Sequence, residues 1–266
     1  MLRWFLFPSI STAFSLHVIG DWGRRGQFSQ KIIAEHIRTM PHDAVISVGD
    51  NFYPDGLQTN TDDQIHESWL DIYMPERPWY VALGNHDHHG NVSAQISIDN
   101  PYWNMPYNVY DFTIGRHTFV VCDSTIFDDL QFQTVDRLLA AAVSDGQHTW
   151  IVTHHPIVSA GWHHADIGRK YQDDLIGLYR QYNVNAIISG HDHNLQYLEW
   201  HGVRQIISGA GSSAYHVQHP QKGLFFFESN PGFVNMDFLE EKVVVTFFGE
   251  TSDLYTLELP YQKDGF

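Results

Sequence analysis

Polar side chains that can bind metal ions follow five short apolar runs along the chain. Each run ends in Gly-Asp, Gly-Asn, His or Gly-His, as after Leu16 to Ile19 and after Ala44 to Val48. One such ending alone is most often a turn or a core residue, but five in one chain are not expected by chance. In chain order the side chains are Asp21, Asp50 with Tyr53, Asn85 with His86, His154, and His191 with His193.

Without His86, these residues form a set of oxygen and nitrogen ligands that suits iron, zinc or manganese better than calcium. Seven ligands are too many for one four-coordinate ion, but they suit a pair of ions roughly 3.5–4 Å apart with one bridging carboxylate. A phenol has an unperturbed pKa of about 10, so only a strongly polarising ion holds Tyr53 deprotonated at neutral pH. Ferric iron fits, with Asp21, Asp50 and Tyr53 as its anionic ligands. His191 and His193 are two residues apart, so extended backbone points both to one side, where each can serve a different ion.

The elements that position these residues alternate between apolar strands and amphipathic helices. This alternation predicts right-handed strand–helix–strand crossovers and a largely parallel sheet, so an α/β fold. From about residue 195 the pattern is strand after strand, which predicts a second, mixed sheet stacked on the first. Ligands gather at the carboxyl ends of strands in such folds. The apolar faces of the predicted helices are Ile33–Ile37–Met40, Ile65–Trp69–Ile72, Val135–Leu138–Leu139–Ala142 and Leu175–Leu178–Tyr179–Tyr182.

Composition excludes several classes of protein. With 266 residues, 43% hydrophobic residues and 17% charged residues, the chain can bury a core and is not disordered. A net charge of −16 argues against a nucleic-acid-binding surface, and no apolar run approaches the roughly 20 residues of a membrane span. The one cysteine, Cys122, lies in an apolar run and is predicted to be an inert core thiol.

The chain is predicted to form one domain over residues 14–266. Residues 1–13 are read either as a leader peptide or as an N-terminal arm. The leader interpretation favours a secreted or endolysosomal location, although the lone cysteine offers no internal disulfide to support it.

The five motifs together resemble those of the purple acid phosphatases, within the calcineurin-like metallophosphoesterases. The likeness is strongest to the small, single-domain, tartrate-resistant mammalian type and extends from Leu16 to the C-terminal strands. It implies a four-layer αββα sandwich of two stacked mixed sheets flanked by helices. The motifs are Gly20-Asp21-Trp22-Gly23, Gly49-Asp50-Asn51-Phe52-Tyr53, Gly84-Asn85-His86-Asp87, Ile151-Val152-Thr153-His154 and Gly190-His191-Asp192-His193.

The resemblance also implies how the ligands divide between two ions. Asp21, Asp50, Tyr53 and His193 surround Fe(III), and Asp50 bridges to a divalent Fe, Zn or Mn. That second ion is also held by Asn85, His154 and His191. His155 is an alternative to His154, which is preferred because its spacing to Pro156 resembles the family's His-x-Pro arrangement.

The implied activity is that of a binuclear-metal acid phosphatase, in which metal-bound hydroxide attacks a phosphate monoester. His86 is the candidate general acid for the leaving group, with Asp87 as the partner that fixes its tautomer. The resemblance adds His163 as a second histidine beside the substrate; the alternative is a solvated loop histidine. The expected substrate is a small phosphate monoester or a phosphoprotein.

Two other functions stay open at this point. One is a phosphodiesterase or nucleotidase on the same metal site, and the other is an iron redox protein that generates radicals. Arg24 and Arg25, which replace a glycine typical of mammalian members, either hold a substrate phosphate or form a solvated loop. Asn91 begins the sequon Asn91-Val92-Ser93, which predicts glycosylation in a secreted eukaryotic protein.

Overall fold

The protein consists of two seven-stranded β-sheets, as seen in a computed structural model that describes residues 13–164, 166, 168–216, 219 and 222–262. The predicted leader or arm therefore lies almost entirely outside the described residues. The strands are β1 (Phe14–Ile19), β2 (Ala44–Ser47), β3 (Trp79–Val81), β4 (Trp103–Asn104), β5 (Tyr110–Ile114), β6 (His117–Val121), β7 (His148–Val152), β8 (Ile187–Ser189), β9 (Leu195–Trp200), β10 (Val203–Ser208), β11 (Leu224–Glu228), β12 (Gly232–Phe238), β13 (Lys242–Gly249) and β14 (Asp253–Pro260).

Both sheets are mixed. The first has the order β14-β13-β12-β1-β2-β3-β4, in which β1 to β4 are parallel and β12 to β14 join antiparallel. The second has the order β11-β9-β10-β8-β7-β6-β5, with β6, β7, β8 and β10 parallel. The predicted pair of stacked sheets is thus confirmed. Contrary to the prediction, the strands after residue 195 do not form the second sheet by themselves, because β9 to β11 belong to the second sheet and β12 to β14 to the first.

Helices cover the outer faces of the sheets. They are α1 (Gln30–Thr39), α2 (Asp71–Tyr73), α3 (Val92–Ile96), α4 (Asp129–Ser144) and α5 (Arg169–Gln181). The predicted apolar faces of α1, α4 and α5 are buried, as at Ile33, Val135 and Leu175. The helix predicted around Trp69 is instead a π-helical segment over residues 65–70 that runs into α2. None of the described helices combines the length and apolar character needed to cross a membrane.

The layering follows from the alternation of side chains along the strands. On β7, Trp150 and Val152 belong to the large core shared by the two sheets, whereas Ile151 packs under α4 and α5. The Trp150 ring meets Phe238 of β12 edge to face at 5.4 Å, so the two sheets are in direct contact. The result is the four-layer αββα sandwich that was predicted.

Candidate metal centre

The carboxyl ends of strands from both sheets meet at one edge of the sandwich. Asp21, Asp50 and Asn85 follow β1, β2 and β3 of the first sheet, and His154 and His191 follow β7 and β8 of the second. The backbone N–H of His191 donates to Oδ2 of Asp21 at 3.0 Å, and Nδ1 of His154 lies 2.9 Å from the Val48 carbonyl oxygen. These contacts bind the two sheets together where the candidate ligands lie.

Three of the candidate ligands have left-handed backbone, which is uncommon for residues other than glycine. The φ angles are 59° at Asp21, 52° at Asp50 and 67° at His191. Gly49, which precedes Asp50, has φ +98°, and a Cβ there would lie 2.6 Å from Nδ1 of His154. Such conformations cluster at functional sites, because a well-packed surrounding fold is needed to hold them.

One group of candidate metal-ligand atoms, the first donor group, is centred on the Tyr53 hydroxyl. This oxygen lies 2.7 Å from Oδ2 of Asp50, 3.0 Å from Oδ1 of Asp21 and 3.1 Å from Nε2 of His193. All four side chains are buried. Three oxygens and one nitrogen therefore converge, and they belong to the four residues that the family resemblance assigns to Fe(III).

A second group surrounds Nε2 of His154. This nitrogen lies 3.1 Å from Oδ1 of Asn85, 3.2 Å from Nδ1 of His191 and 3.5 Å from Oδ1 of Asp50. The opposite nitrogen, Nδ1, donates to the Val48 carbonyl, which fixes the tautomer and leaves Nε2 with its lone pair facing the group. Asp50 thus directs one carboxylate oxygen to each group.

The donor set fits a pair of metal ions. Donor atoms about 3 Å apart match the edges of an octahedron whose metal–ligand distances are about 2.1 Å. Asp21, Asp50 and His154 each offer a ligand atom, and these atoms lie within 4.8 Å of one another. Carboxylates, a phenol and imidazoles are the ligands that iron, zinc and manganese prefer.

The charges within the site favour binding of a cation. Burial, followed by the charges of Asp21 and Asp50, raises the pKa of Tyr53 well above its ordinary value. Burial alone would raise the pKa of Asp21 as well, but the hydrogen bond from His193 and the nearby His154 hold it below its usual value. The phenol therefore stays protonated beside two carboxylates unless a metal ion replaces its proton.

His155 has a different environment from His154. Its Nδ1 is 2.7 Å from Oγ of Ser124, and its ring packs 4.2 Å from the ring of His191. Burial and the neighbouring His154 lower the pKa of His155 to about 3, so the ring is neutral. The 3.1 Å distance from Nε2 of His154 to Oδ1 of Asn85 favours His154 as the ligand. His155 also offers a ligand atom within 4.8 Å of those of His154 and His191.

His86 lies at the rim of the first donor group. Its Nδ1 is 2.6 Å from the Pro54 carbonyl oxygen, so Nδ1–H donates there and Nε2 faces Asp50, whose Oδ2 is 3.9 Å away. Asp87 does not occupy the partner position suggested by the sequence. Its buried carboxylate instead accepts N–H groups from Asn51, Phe52, Gly84 and Gln95. The Pro54 carbonyl orients His86, and Asp87 anchors the two loops that carry Asp50 and Asn85.

His163 lies on the side of the second donor group. Its ring is 4.4 Å from the ring of His191, and its Nδ1 is 2.6 Å from Oδ2 of Asp166. The backbone N–H of His163 donates to Oδ1 of Asp192, a fully buried residue between His191 and His193. The structure thus brings His163 to the site.

Three further histidines and the two arginines differ in how close they lie to the donor groups. His88 pairs with the buried Asp123 at 2.8 Å, and this hydrogen bond raises the pKa of His88. His89 and His164 lie farther out, near Asp55 and His219 respectively. Arg25 pairs with the half-exposed Glu67, whereas Arg24 turns inward over the Tyr53 ring. Sequence reasoning missed Asp123, although it follows the apolar strand β6 in the same way that Asp21 follows β1.

The structure also describes two predicted residues that lie outside the metal centre, Cys122 and Asn91. Cys122 is buried and unbonded to another cysteine, as predicted. Asn91 is exposed and caps α3 through its side-chain oxygen, which accepts the Ser93 N–H at 3.1 Å. Its glycosylation stays a prediction.

Comparisons with known proteins agree with this fold. Residues 14–195 match the calcineurin-like phosphoesterase family. The chain is 31% identical to purple acid phosphatase 7 of Arabidopsis thaliana, over 89% of this chain and 82% of the relative. It is 30% identical to tartrate-resistant acid phosphatase type 5 of Mus musculus, over 91% and 89% of the two chains.

A solved structure shares the fold over nearly the whole length. It is described as GAP50, the anchor in the inner membrane complex of Plasmodium, and superposes with a TM-score of 0.83 at 24% identity. The match covers 94% of this chain and 90% of the other. The matched family and the two acid phosphatases show that the chain belongs to the calcineurin-like phosphoesterases, among the purple acid phosphatases.

Proposed function

We propose that the protein is a binuclear-metal acid phosphatase that hydrolyses phosphate monoesters. The observation that carries this proposal is the position of Asp50, whose two carboxylate oxygens face two separate donor groups. A bridging carboxylate between two ligand sets is what a pair of metal ions requires. The relatives at about 30% identity that are named acid phosphatases support the same activity.

The proposed metal assignment follows the donor types. Fe(III) would be held by Asp21, Asp50, Tyr53 and His193, because this group supplies three anionic oxygens. A divalent Fe, Zn or Mn would be held by Asp50 with the neutral donors Asn85, His154 and His191. When bound, the pair supplies Lewis-acid polarisation of the phosphoryl group and activates water.

The protein's own contribution is proton transfer and positioning. The Pro54 carbonyl holds His86 with Nε2 towards the donor groups, which supports His86 as the acid that protonates the leaving oxygen. His163, oriented by Asp166, borders the opposite group, and this position supports a role in contacting the substrate. The substrate class is a small phosphate monoester or a phosphoprotein. A secreted or endolysosomal location stays a prediction.

The test combines activity with spectroscopy. The purified protein should contain two metal ions, cleave nitrophenyl phosphate in preference to its bis-ester, and show a visible phenolate-to-iron charge-transfer band. Tyr53→Phe should abolish that band, because the phenolate that supplies the electron is removed. A band that persists in Tyr53→Phe would contradict the ligand assignment, and preferential cleavage of the bis-ester would favour the phosphodiesterase alternative.

A matched control separates loss of the ligand from loss of the fold. Tyr215 stacks on the ring of His193 at 4.6 Å but is nearly half exposed and supplies no atom to either donor group. Tyr215→Phe should therefore retain the band and the metal content. If both variants lose metal equally, the phenol of Tyr53 is not the specific ligand.

A further inference from the structure

The loop after β1 is held rigidly by buried side chains. The backbone N–H groups of Arg24 and Gly26 both donate to Oε1 of Gln30, at 3.0 and 2.7 Å. Gln30 is fully buried, and its Nε2 donates to the Ser68 carbonyl at 2.7 Å. The backbone N–H of Arg25 donates to Oγ of Ser68 at 3.0 Å. These contacts fix the backbone from which the two arginine side chains extend.

The two arginine side chains have different partners. The Arg24 guanidinium carbon lies 3.6 Å from the centre of the Tyr53 ring, whereas Nε of Arg25 pairs with Glu67 at 3.1 Å in a half-exposed position. Nε of Arg24 donates to Oγ of Ser212 at 3.1 Å, and that hydroxyl donates to the Asp21 carbonyl at 2.6 Å. Arg24 is thus fixed at both ends, by its backbone on Gln30 and by its side chain on Ser212.

A cation at this position acts on the electrons of the ring beneath it. A guanidinium over an aromatic face is attracted by the ring quadrupole, and the attraction is larger when the ring carries a negative charge. The positive charge lowers the energy of the electrons on a phenolate. An electron acceptor bound to the hydroxyl oxygen is farther from the positive charge, so the energy of the acceptor is lowered less than that of the phenolate.

We propose that Arg24 is a tuning residue for the candidate iron ligand Tyr53, and that it shifts the phenolate-to-iron transition to higher energy. This inference rests on the proposed function, since it requires ferric iron at Tyr53. This role of Arg24 differs from binding a substrate phosphate, which was one of the two alternatives for the Arg24-Arg25 pair.

The experiment compares visible spectra of the iron-containing protein and three variants. Arg24→Gln removes the charge but keeps a planar group, Arg24→Lys keeps the charge, and Arg25→Gln is the matched control at the adjacent outward residue. We expect the band of Arg24→Gln to move to longer wavelength by roughly 10–50 nm, the effect of removing a unit charge about 4 Å away at an effective dielectric constant of about 20. Arg24→Lys should shift less, and Arg25→Gln should match the wild type.

The possible outcomes are distinct. A band that does not move in Arg24→Gln, or that moves equally in Arg25→Gln, overturns the role of Arg24 and leaves the phosphatase proposal intact. Absence of any band in the iron-containing wild type overturns the ferric assignment, and with it this inference. Metal content measured for each variant shows whether a weaker band reflects lost iron, and the band position remains the deciding quantity.

Discussion

Asp50 connects the two halves of the candidate centre more directly than any other residue. Its Oδ2 is 2.7 Å from the Tyr53 hydroxyl, and its Oδ1 is 3.5 Å from Nε2 of His154. Oδ1 also accepts the backbone N–H of His86 at 2.8 Å. The candidate general acid is therefore attached, through its backbone, to the carboxylate that joins the two donor groups.

The contribution of His86 to the rate depends on how strongly the leaving group requires a proton. His86→Ala should lower kcat by about 10²–10⁴-fold for an alkyl phosphate, because an alkoxide leaves poorly without a proton. The loss should be smaller for nitrophenyl phosphate, whose leaving group is stable as an anion. Steady-state kinetics on the two substrates measure the difference, with His66→Ala, at an exposed histidine, as the control.

The pH dependence of the reaction rate gives a second test of His86 as the general acid. The wild type should show a bell-shaped profile with its maximum below pH 7, since a protonated acid and an ionised nucleophile must coexist. The fall towards high pH should flatten in His86→Ala. An optimum above pH 8, or equal losses on both substrates, would remove His86 from the acid role.

At the scale of elements, the loop between β1 and α1 must lie close to the loop that carries Asp50. A Cβ on Gly23 would lie 1.7 Å from the Asn51 carbonyl oxygen, a contact that the backbone must move to relieve. Gly23→Ala should therefore destabilise the protein by about 1–3 kcal/mol, as overpacking does, and should reduce metal content. Urea denaturation and metal analysis measure these two effects.

Gly177 provides the control for that substitution. It lies in α5, is exposed, and a Cβ there would meet no atom within 4 Å. Gly177→Ala should stabilise the protein by about 0.5–1 kcal/mol, because alanine loses less backbone entropy in a helix. If Gly23→Ala behaves like Gly177→Ala, the close approach of the two loops does not constrain the site.

The elements also show which features the sequence could predict. The ends of β1, β2 and β8 were predictable because each apolar run stops at a Gly-Asp or Gly-His pair, which marks both the turn and the ligand. The apolar faces of α1, α4 and α5 were predictable from their 3.6-residue period. The segment 65–70 was not, since its spacing fits an α-helix but it forms a π-helical turn in which Trp69 is fully buried.

Side-chain direction was the least predictable feature. Nothing in Arg24-Arg25 distinguishes the arginine that lies over Tyr53 from the one that pairs with Glu67. The proximity of Asp87 to His86 in sequence suggested a contact, but the short helical turn after His86 directs the Asp87 carboxylate towards Asn51 and Gln95. Such directions depend on long-range contacts that spacing does not encode.

At the scale of the whole molecule, the protein and its proposed phosphate substrate both carry negative charge. The net charge is −16, but the charges of the site are buried and their field is local. Surface charges are screened over about 10 Å at 0.1 M salt. The attraction of a phosphate ester is therefore set by the local field of the centre, not by the net charge of the protein.

Buried histidines distant from the centre affect how the whole fold responds to acid. Burial, with His42 as its neighbour, lowers the pKa of His17 to about 3, and burial with His148 and Arg116 lowers that of His117 to about 3. In the unfolded chain both bind a proton near pH 6.5, whereas in the fold they do not until about pH 3. Stability is therefore lost as the pH falls from about 6.5 towards 3, by up to about 1.4 kcal/mol per pH unit for each group.

His17 allows this coupling to be tested without touching the centre. Its ring is fully buried in β1 against Phe233, and neither ring nitrogen has a hydrogen-bond partner among the described residues. His17→Phe removes both unpaired nitrogens and the titrating group, so it should raise the free energy of unfolding by about 1 kcal/mol at pH 7. Because the unfolded wild type gains a proton that the variant cannot bind, this advantage should grow by about 1–1.4 kcal/mol for each pH unit below 6. Urea denaturation at pH 7, 6 and 5 measures it, with His66→Phe as an exposed control; parallel stability curves for His17→Phe and wild type would show that His17 is not a source of acid sensitivity.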